Sequence, residues 1–357
     1  MIESCSLCLY GAPVASFAVT WLAITVLLRS FSDRILDHPN ERSLHEQPVP
    51  RTGGMGVAAG IAAGALLVSP VSWWPLWIGA AFLVGVSFLD DLVGLPIVGR
   101  LIAHFIAAGL CVTGLVSDQM GLLWVAVAIV ATVWMINLYN FMDGMDGLAG
   151  GMALFGFGFL AVAAWLAGDR SLALVSLSIA AAAGAFLLFN FHPARMFLGD
   201  AGSTTFGYLA AGLGLTGWQH GVWSLWVPLL VFSPFIIDAS VTLARRLMRG
   251  EKFWQAHRSH YYQRVVLSGW SHGKTALAEY GVMVCCGCGA LAFQLASDHV
   301  RFAIVGIWIL AFLGLAQSVS GVPRRGDPEP GGRIDERRLH YFYRRGLRSV
   351  PPFREGS

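Results

Sequence analysis

Residues 171–190 read SLALVSLSIAAAAGAFLLFN, a run without a charged side chain. A helix of about 20 residues is about 30 Å long, which matches the hydrocarbon thickness of a bilayer. Asp169 and Arg170 stand directly before the run, and FHPARMFLGDAGS follows it at 191–203. The stretch therefore predicts a membrane-spanning helix that ends in a polar, glycine-containing segment.

The composition of the whole chain also indicates a membrane protein. Of its 357 residues, 56% are hydrophobic and 13% are charged, whereas a soluble domain carries about 25% charged residues. The apolar fraction and a net charge of only +3 exclude an intrinsically disordered chain and argue against nucleic-acid binding. We predict an all-α, polytopic membrane protein.

Polar residues divide the chain into apolar runs of membrane-spanning length. We predict eleven transmembrane helices, with ten as the alternative, because the run at 203–217 is short and rich in glycine. The predicted spans are 11–29, 53–71, 73–89, 98–116, 121–139, 151–167, 171–190, 203–217, 222–244, 276–297 and 301–319.

The distribution of cations predicts the orientation of these helices, since cytoplasmic loops are enriched in Lys and Arg. With the N-terminus outside, eleven crossings place all 24 Lys and Arg residues except Arg170 and Arg301 on the cytoplasmic side. We expect one membrane domain at 1–320 and an Arg-rich cytoplasmic tail at 321–357. The cytoplasmic loops are then 30–52, 90–100, 140–150, 191–202 and 245–275.

Aspartates from separate parts of the chain reach this one end of the bundle. Carboxylates at the ends of membrane segments are costly and are therefore candidates for function. A one-sided cluster favours a site open to cytoplasmic water over a transporter, whose ionisable groups more often lie near the bilayer midplane. The residues are Asp37, Asp90, Asp91, Asp143, Asp146 and Asp200.

The adjacent pair Asp90-Asp91 closes an apolar run. Two neighbouring carboxylates repel each other unless a cation or a proton lies between them, so the pair suits metal-phosphate binding or proton transfer. A solvated helix end is the alternative interpretation.

Four polar side chains recur at every third position in the stretch 137–146: Asn137, Asn140, Asp143 and Asp146. In an ideal α-helix this row rotates by about 60° at each step, so the four converge only where the helix loosens. The interspersed glycines permit that loosening and let backbone N–H groups approach phosphate oxygens. A simple turn is the alternative interpretation.

The segment after the run at 171–190 combines Asn190, Arg195 and Asp200. An Arg fork suits phosphate, and Asp and Asn oxygens suit Mg²⁺, which takes one or two carboxylates together with substrate phosphates. We interpret His192 as a capping or packing histidine. Asp238, inside a predicted helix, is interpreted as a structural, hydrogen-bonded carboxylate.

The 245–275 loop interleaves cations with aromatic residues, a combination that suits a nucleotide diphosphate and its base. A positive-inside anchor explains the arginines of this loop but not His257, His260 and the paired Tyr261-Tyr262.

Taken in chain order, these motifs resemble those of the polyprenyl-phosphate N-acetylhexosamine-1-phosphate transferase superfamily (MraY/WecA, glycosyltransferase family 4), and look most like the WbpL-type enzymes that initiate O-antigen synthesis. The resemblance runs from about residue 30 to 275. It rests on DHPNERSLH at 37–45 with PRTGG at 50–54, DD at 90–91, the stretch 137–151, the stretch 190–202 and HRSHYYQR at 257–264.

The resemblance implies a reaction at the cytoplasmic face of the bacterial inner membrane. The phosphate of undecaprenyl phosphate attacks a UDP-N-acetylhexosamine, UMP leaves, and a lipid-linked diphosphosugar that initiates O-antigen or another envelope polysaccharide remains. It implies Mg²⁺, with Mn²⁺ as the alternative cofactor, held by Asn140 and Asp200. GlcNAc or a 6-deoxy-HexNAc such as FucNAc or QuiNAc is the expected sugar, and a homodimer is left open.

The resemblance also assigns roles to the remaining motif residues. Catalytic roles fall to Asp90, Asp91, Asp143, Asp146 and His260, and substrate contacts to Asp37, Asn40, Arg51, Asn190, Arg195, Arg258 and Arg264. Two departures concern the cations: His260-Tyr-Tyr-Gln263 replaces a multi-histidine run, and Arg100 stands for a family lysine as a fixed charge. A transporter or flippase of lipid-linked sugars is the alternative function.

Overall fold

The computed structural model describes residues 6–31, 36–37, 48–115, 121–252 and 257–320. Most of these residues are helical, and the sheet in this part of the chain is a two-stranded antiparallel hairpin. Eight of the described helices are long and apolar enough to cross a membrane. The predicted all-α, polytopic membrane fold is therefore confirmed.

The elements follow one another in a simple order, with the hairpin between the first two helices. They are α1 (Ser6–Phe31), β1 (Leu36–Asp37), β2 (Val49–Pro50), α2 (Gly53–Val68), α3 (Trp74–Val93), α4 (Ile97–Leu115), α5 (Leu122–Phe141), α6 (Leu148–Leu166), α7 (Arg170–Asn190), α8 (Gly199–Gln219), α9 (Trp226–Val231), α10 (Ser233–Met248), α11 (Tyr261–Leu267), α12 (His272–Leu295) and α13 (Asp298–Ser320).

Each predicted span falls on a described helix, with bounds that differ by a few residues. The span 222–244 is an exception in form, because it consists of two helices, α9 and α10, that meet at Phe232. Pro234 lies in the first turn of α10, where a residue without an N–H group is tolerated and favours a new helix start. How many helices cross the bilayer, and in which orientation, stay predictions.

The central helix of the bundle is α8, which packs against α2, α3, α4, α5, α6, α7 and α9. Its glycines allow this close packing: a Cβ on Gly207 would lie 2.6 Å from the carbonyl oxygen of Met135, and one on Gly212 would lie 2.4 Å from Leu76. Because α8 contacts protein on most sides, it does not need the continuous apolar surface that a lipid-facing helix needs. This explains why its weakly apolar sequence made the helix count ambiguous.

The outer helices present large apolar side chains. Leu122, Leu123 and Trp124 of α5 are exposed, as are Phe302 and Leu310 of α13. Exposed apolar surface of this extent marks a membrane contact. The bundle therefore has a glycine-rich central helix and large exposed apolar residues on its outer helices, and its polar loops lie at the helix ends.

Candidate active site

The candidate site lies at the end of the bundle where α3, α5 and α7 finish and α6, α8 and α12 begin. Backbone hydrogen bonds join two of the sequence motifs there. The amides of Gly53 and Gly54 donate to the carbonyls of Phe197 and Leu198 at 3.0 and 2.7 Å, and the Phe197 amide donates to Pro50 at 2.7 Å. The PRTGG segment is thus paired with the segment that leads into Asp200.

Asp91 is braced at the first turn of α8. The backbone amides of Asp200 and Ala201 hydrogen-bond to its carboxylate, as expected for an anion at a helix N-terminus. The guanidinium of Arg51 lies 3.7 Å from Asp91 Oδ1 and donates to the Asp91 carbonyl. Gly199 has φ +72°, and a Cβ there would lie 3.0 Å from Asp91 Oδ2. A glycine is therefore required at this turn.

Asp90 and Asp200 share one cation. Arg100 Nη1 lies 3.1 Å from Asp90 Oδ2 and 3.5 Å from Asp200 Oδ2. Asp90 also accepts a hydrogen bond from the Leu95 amide at 2.6 Å. Arg100, predicted as a fixed charge, therefore bridges two motifs with its guanidinium. One arginine cannot neutralise two carboxylates, so negative charge remains.

Exposure distinguishes the roles of these carboxylates. The side chain of Asp200 is 32% exposed, whereas Asp90 and Asp91 are 8% and 3% exposed. Asp200 is the carboxylate that a ligand can reach, and Asp90 and Asp91 hold the arginines and the start of α8 around it.

Asn140 lies beside the Asp200 carboxylate, and its Nδ2 donates to Ser203 Oγ at 3.0 Å. The amide oxygen is therefore the atom that can bind a cation. A carboxylate and an amide oxygen form the hard donor set that Mg²⁺ prefers. The two residues predicted as metal ligands are thus neighbours, and their chemistry fits the ion.

Asp143 lies in the loop after α5, close to carboxylates from three other motifs. Burial raises the pKa of Asp143 to about 8, with further contributions from Asp200, Asp91 and Asp37. Asp37 itself lies in the hairpin, opposite Val49. Four separate motifs therefore bring carboxyl groups together around one point. Such crowding is typical of functional sites.

The polar row at 137–146 does not converge, because α5 ends at Phe141. Asn137 turns toward α4, where its Nδ2 lies 3.2 Å from His104 Nδ1. Asn140 and Asp143 face Asp200, whereas Asp146 hydrogen-bonds to His192 at 2.7 Å. The four side chains of this row therefore contact three different parts of the structure.

Asn190 joins two loops of the site. Its Oδ1 accepts from the Gly147 amide at 3.0 Å, and its Nδ2 donates to the Met196 carbonyl at 2.9 Å. Arg195 is exposed, donates to the Leu188 carbonyl and lies over the ring of Phe189. Contacts of these two residues with substrate stay predictions. Asn40, also predicted to contact substrate, lies outside the described residues.

Asp238 organises the basic segment of the fifth motif. Its Oδ1 lies 3.1 Å from His260 Nδ1 and accepts from the Tyr261 amide at 3.0 Å, and its Oδ2 accepts from the Tyr262 amide at 3.3 Å. Asp238 is hydrogen-bonded within the bundle, as predicted, and its partners are motif residues. Arg258 and Arg264 flank His260, and both are partly buried.

This basic segment packs directly on the loop that carries Asp143. A Cβ on Gly144 would lie 2.3 Å from the hydroxyl oxygen of Tyr262 and 3.6 Å from Gln263. The fifth motif therefore reaches the carboxylate cluster through Tyr262. The tyrosine and the glycine are more than a hundred positions apart in the sequence, and the fold alone brings them together.

His272 at the start of α12 was predicted only as one of the cations of the 245–275 loop, and its Nδ1 lies 3.5 Å from Asp146 Oδ1. It stands outside the matched motifs, and only the fold brings it beside them. A second histidine within one loop length of His260 was the sole available signal.

Comparison with known proteins finds similarity to transferases of lipid-linked sugars. The model of "Glycosyl transferase family 4" matches residues 73–217. The chain is 28% identical to the probable undecaprenyl-phosphate N-acetylglucosaminyl 1-phosphate transferase of Bacillus subtilis, over 85% of the chain and 90% of the relative. It is 28% identical to the undecaprenyl-phosphate alpha-N-acetylglucosaminyl 1-phosphate transferase of Yersinia pestis, over 66% and 71%. A phospho-N-acetylmuramoyl-pentapeptide-transferase of Halalkalibacterium halodurans is 24% identical, over 75% and 92%.

Proposed function

Because the chain belongs to the superfamily of polyprenyl-phosphate N-acetylhexosamine-1-phosphate transferases, we propose that it transfers N-acetylhexosamine 1-phosphate from a UDP-sugar to undecaprenyl phosphate. The supporting observation is the group of carboxylates from four motifs, with Arg51 and Arg100, at one end of a membrane bundle. We place the proposed site at the cytoplasmic face of the inner membrane. The lipid-linked product would initiate O-antigen or another envelope polysaccharide.

In the proposed reaction, an oxygen of the lipid phosphate attacks the β-phosphorus of the donor. A new phosphorus–oxygen bond forms, the bond from the β-phosphorus to the bridging oxygen breaks, and UMP leaves with that oxygen. The second pKa of a phosphate monoester is about 6, so the lipid phosphate is already largely dianionic at neutral pH. The site therefore needs to position the reactants and offset their charge more than it needs to remove a proton.

Asn140 and Asp200 would hold Mg²⁺, or Mn²⁺, which when bound would offset the charge of the donor diphosphate. Arg100 keeps the Asp200 carboxylate in place, and Asp90 fixes Arg100. Asp91 and Arg51 tie the start of α8 to the PRTGG segment. His260, Arg258 and Arg264 would face the donor from the other side of the Asp143 loop.

UMP release by the purified full-length protein tests this proposal. The assay contains undecaprenyl phosphate, Mg²⁺ and one of UDP-GlcNAc, UDP-GalNAc, UDP-FucNAc or UDP-QuiNAc. The mass of the lipid product is measured by mass spectrometry. The names of the Bacillus and Yersinia relatives favour GlcNAc. A flippase of lipid-linked sugars would release no UMP with any donor. Such a result, from protein that is folded, would overturn the proposal.

A further inference from the structure

We propose that Asp146, His192 and His272 form a binding site for a borderline-soft divalent cation of the Zn²⁺ class, separate from the oxygen-donor cluster around Asp200. The three residues come from different segments: the loop before α6, the loop after α7 and the first position of α12. One ligand atom of each lies within 4.8 Å of those of the other two.

The carboxylate of Asp146 stands between the two imidazoles. Its Oδ2 lies 2.7 Å from His192 Nδ1, and its Oδ1 lies 3.5 Å from His272 Nδ1. The rings of the two histidines are 5.3 Å apart. Ligand atoms around one small dication are separated by distances of this order, because each metal bond is about 2.0–2.2 Å long.

One nitrogen in this group has no satisfactory partner. The Nδ1 of His272 is buried, and its distance of 3.5 Å from Asp146 Oδ1 is too long for a well-formed hydrogen bond. A buried polar atom without a partner costs free energy. A cation bound between the three side chains would accept the lone pair of this nitrogen and remove that cost.

The arginine and lysine nearest in sequence to the two histidines contact aromatic rings. Arg195 lies over Phe189, and Lys274 lies 4.1 Å from the ring centroid of Trp270. Within the described residues, the ion-pair partners of Asp146 are His192 and His272. The charge of Asp146 is therefore compensated only by imidazoles, which are neutral when they act as metal ligands.

The donor set specifies the class of cation. Two imidazole nitrogens and one carboxylate oxygen suit Zn²⁺ and similar metals, whereas Mg²⁺ prefers oxygen alone. The Ala194 amide donates to Asp146 Oδ2 at 3.2 Å, which fixes the carboxylate in the manner of a second coordination shell. The side chain of His192 is 41% exposed, so an ion can enter from water and keep open positions for a further ligand.

Metal titration of the full-length protein, purified with a tag that contains no histidine and stripped with a chelator, tests this site. We expect wild type to bind one Zn²⁺, and to show the visible spectrum of a nitrogen- and oxygen-ligated ion when Co²⁺ replaces it. His272→Ala and His192→Ala each remove a ligand, so each should weaken binding by at least the roughly 100-fold that loss of an outer-shell partner can cause. No UDP-sugar or lipid is present, so the result does not depend on transferase activity.

Two control variants locate the ion. His220→Ala removes a histidine that pairs with Asp169 at the opposite end of the bundle, and Asp200→Asn removes the exposed carboxylate of the oxygen-donor cluster. Both should bind Zn²⁺ like wild type. Because His192 is exposed, its variant should fold, and a thermal shift by Zn²⁺ that wild type shows and His192→Ala lacks would support the site. The proposal is overturned if stripped wild type binds no Zn²⁺, or if the His192 and His272 variants bind it as tightly as wild type.

Discussion

The two ends of the bundle both carry aspartates, but the carboxylates have different environments. At the end where α7 begins, Asp169 caps that helix through the Leu172 amide at 2.9 Å and pairs with His220. Asp298 pairs with Arg301 at 3.0 Å. Each of these two carboxylates has its own partner, and the hydrogen bonds explain its presence as part of the fold.

At the other end, carboxylates face carboxylates. Asp143 lies in the field of Asp200, Asp91 and Asp37, and a single arginine, Arg100, serves both Asp90 and Asp200. Like charges held together destabilise the fold unless a counter-charge arrives. The crowding of carboxyl groups, more than the presence of aspartates, therefore distinguishes the end that carries the candidate site.

The largest effect should come from Asp200→Asn. It keeps the size of the side chain but removes the charge that a ligand can reach, so we expect kcat/KM for UMP release to fall by about 100-fold or more. Asp169→Asn is the matched control, because asparagine can still cap α7, and it should retain wild-type activity. Equal losses in the two variants would contradict the distinction between the ends.

A smaller loss is expected for Arg100→Lys. Lysine keeps the charge but lacks the planar fork that reaches two carboxylates at once, so kcat should fall by about 10-fold. Arg170→Lys, at an exposed position at the far end, is the control. If Arg100→Lys were fully active, the guanidinium bridge would have no part in arranging the site.

Gly144→Ala tests the contact between the basic segment and the Asp143 loop. The new methyl group would collide with the hydroxyl of Tyr262, which displaces the fifth motif, and activity should fall by about 10-fold. Tyr262→Phe removes the colliding atom, so the double variant should recover much of the loss. Gly158→Ala, where nothing lies within 4 Å, should be neutral. A double variant no better than Gly144→Ala would contradict this contact.

The smallest effect concerns pH. Burial lowers the pKa of His257 to about 4, with smaller contributions from His260 and Arg246, whereas an unfolded histidine titrates near pH 6.5. The neutral ring therefore contributes stability above about pH 6.5 that is lost as the pH falls through about 4. When the pH is lowered from about 7.5 to about 5, the unfolding temperature of wild type should fall further than that of His257→Asn. Equal decreases in the unfolding temperature of the two proteins would contradict the burial of the His257 ring.

Hydropathy was a good predictor for helices with a strongly apolar sequence and a poor one for the weakly apolar α8. The run at 171–190 became α7 although most of that helix is buried inside the bundle, whereas the glycines, serines and threonines of α8 made it ambiguous. The single span predicted at 222–244 consists of two helices that meet at Phe232. Hydropathy does not reveal this boundary, because the residues on both sides of it are apolar.

For the site, the sequence indicated which residue types are present but not which side chains meet. Asn140 and Asp200 were predicted together, and they are neighbours. Asp146 was predicted with Asp143, yet it turns to His192 and His272, because α5 ends before the row can converge. Contacts among three distant segments depend on how the helices pack, and the spacing of polar residues along the sequence does not predict that packing.

The fate of the donor's β-phosphorus tests the central claim most directly. UDP-GlcNAc radiolabelled at that atom is incubated with undecaprenyl phosphate, Mg²⁺ and the purified protein, and the lipid and nucleotide products are separated. We expect the label to move to the lipid and unlabelled UMP to appear in equal amount, with Asp200→Asn slower by about 100-fold or more and Asp169→Asn as active as wild type. Label that stays with the nucleotide as UDP, or sugar-lipid formation that is indifferent to Asp200, would contradict it.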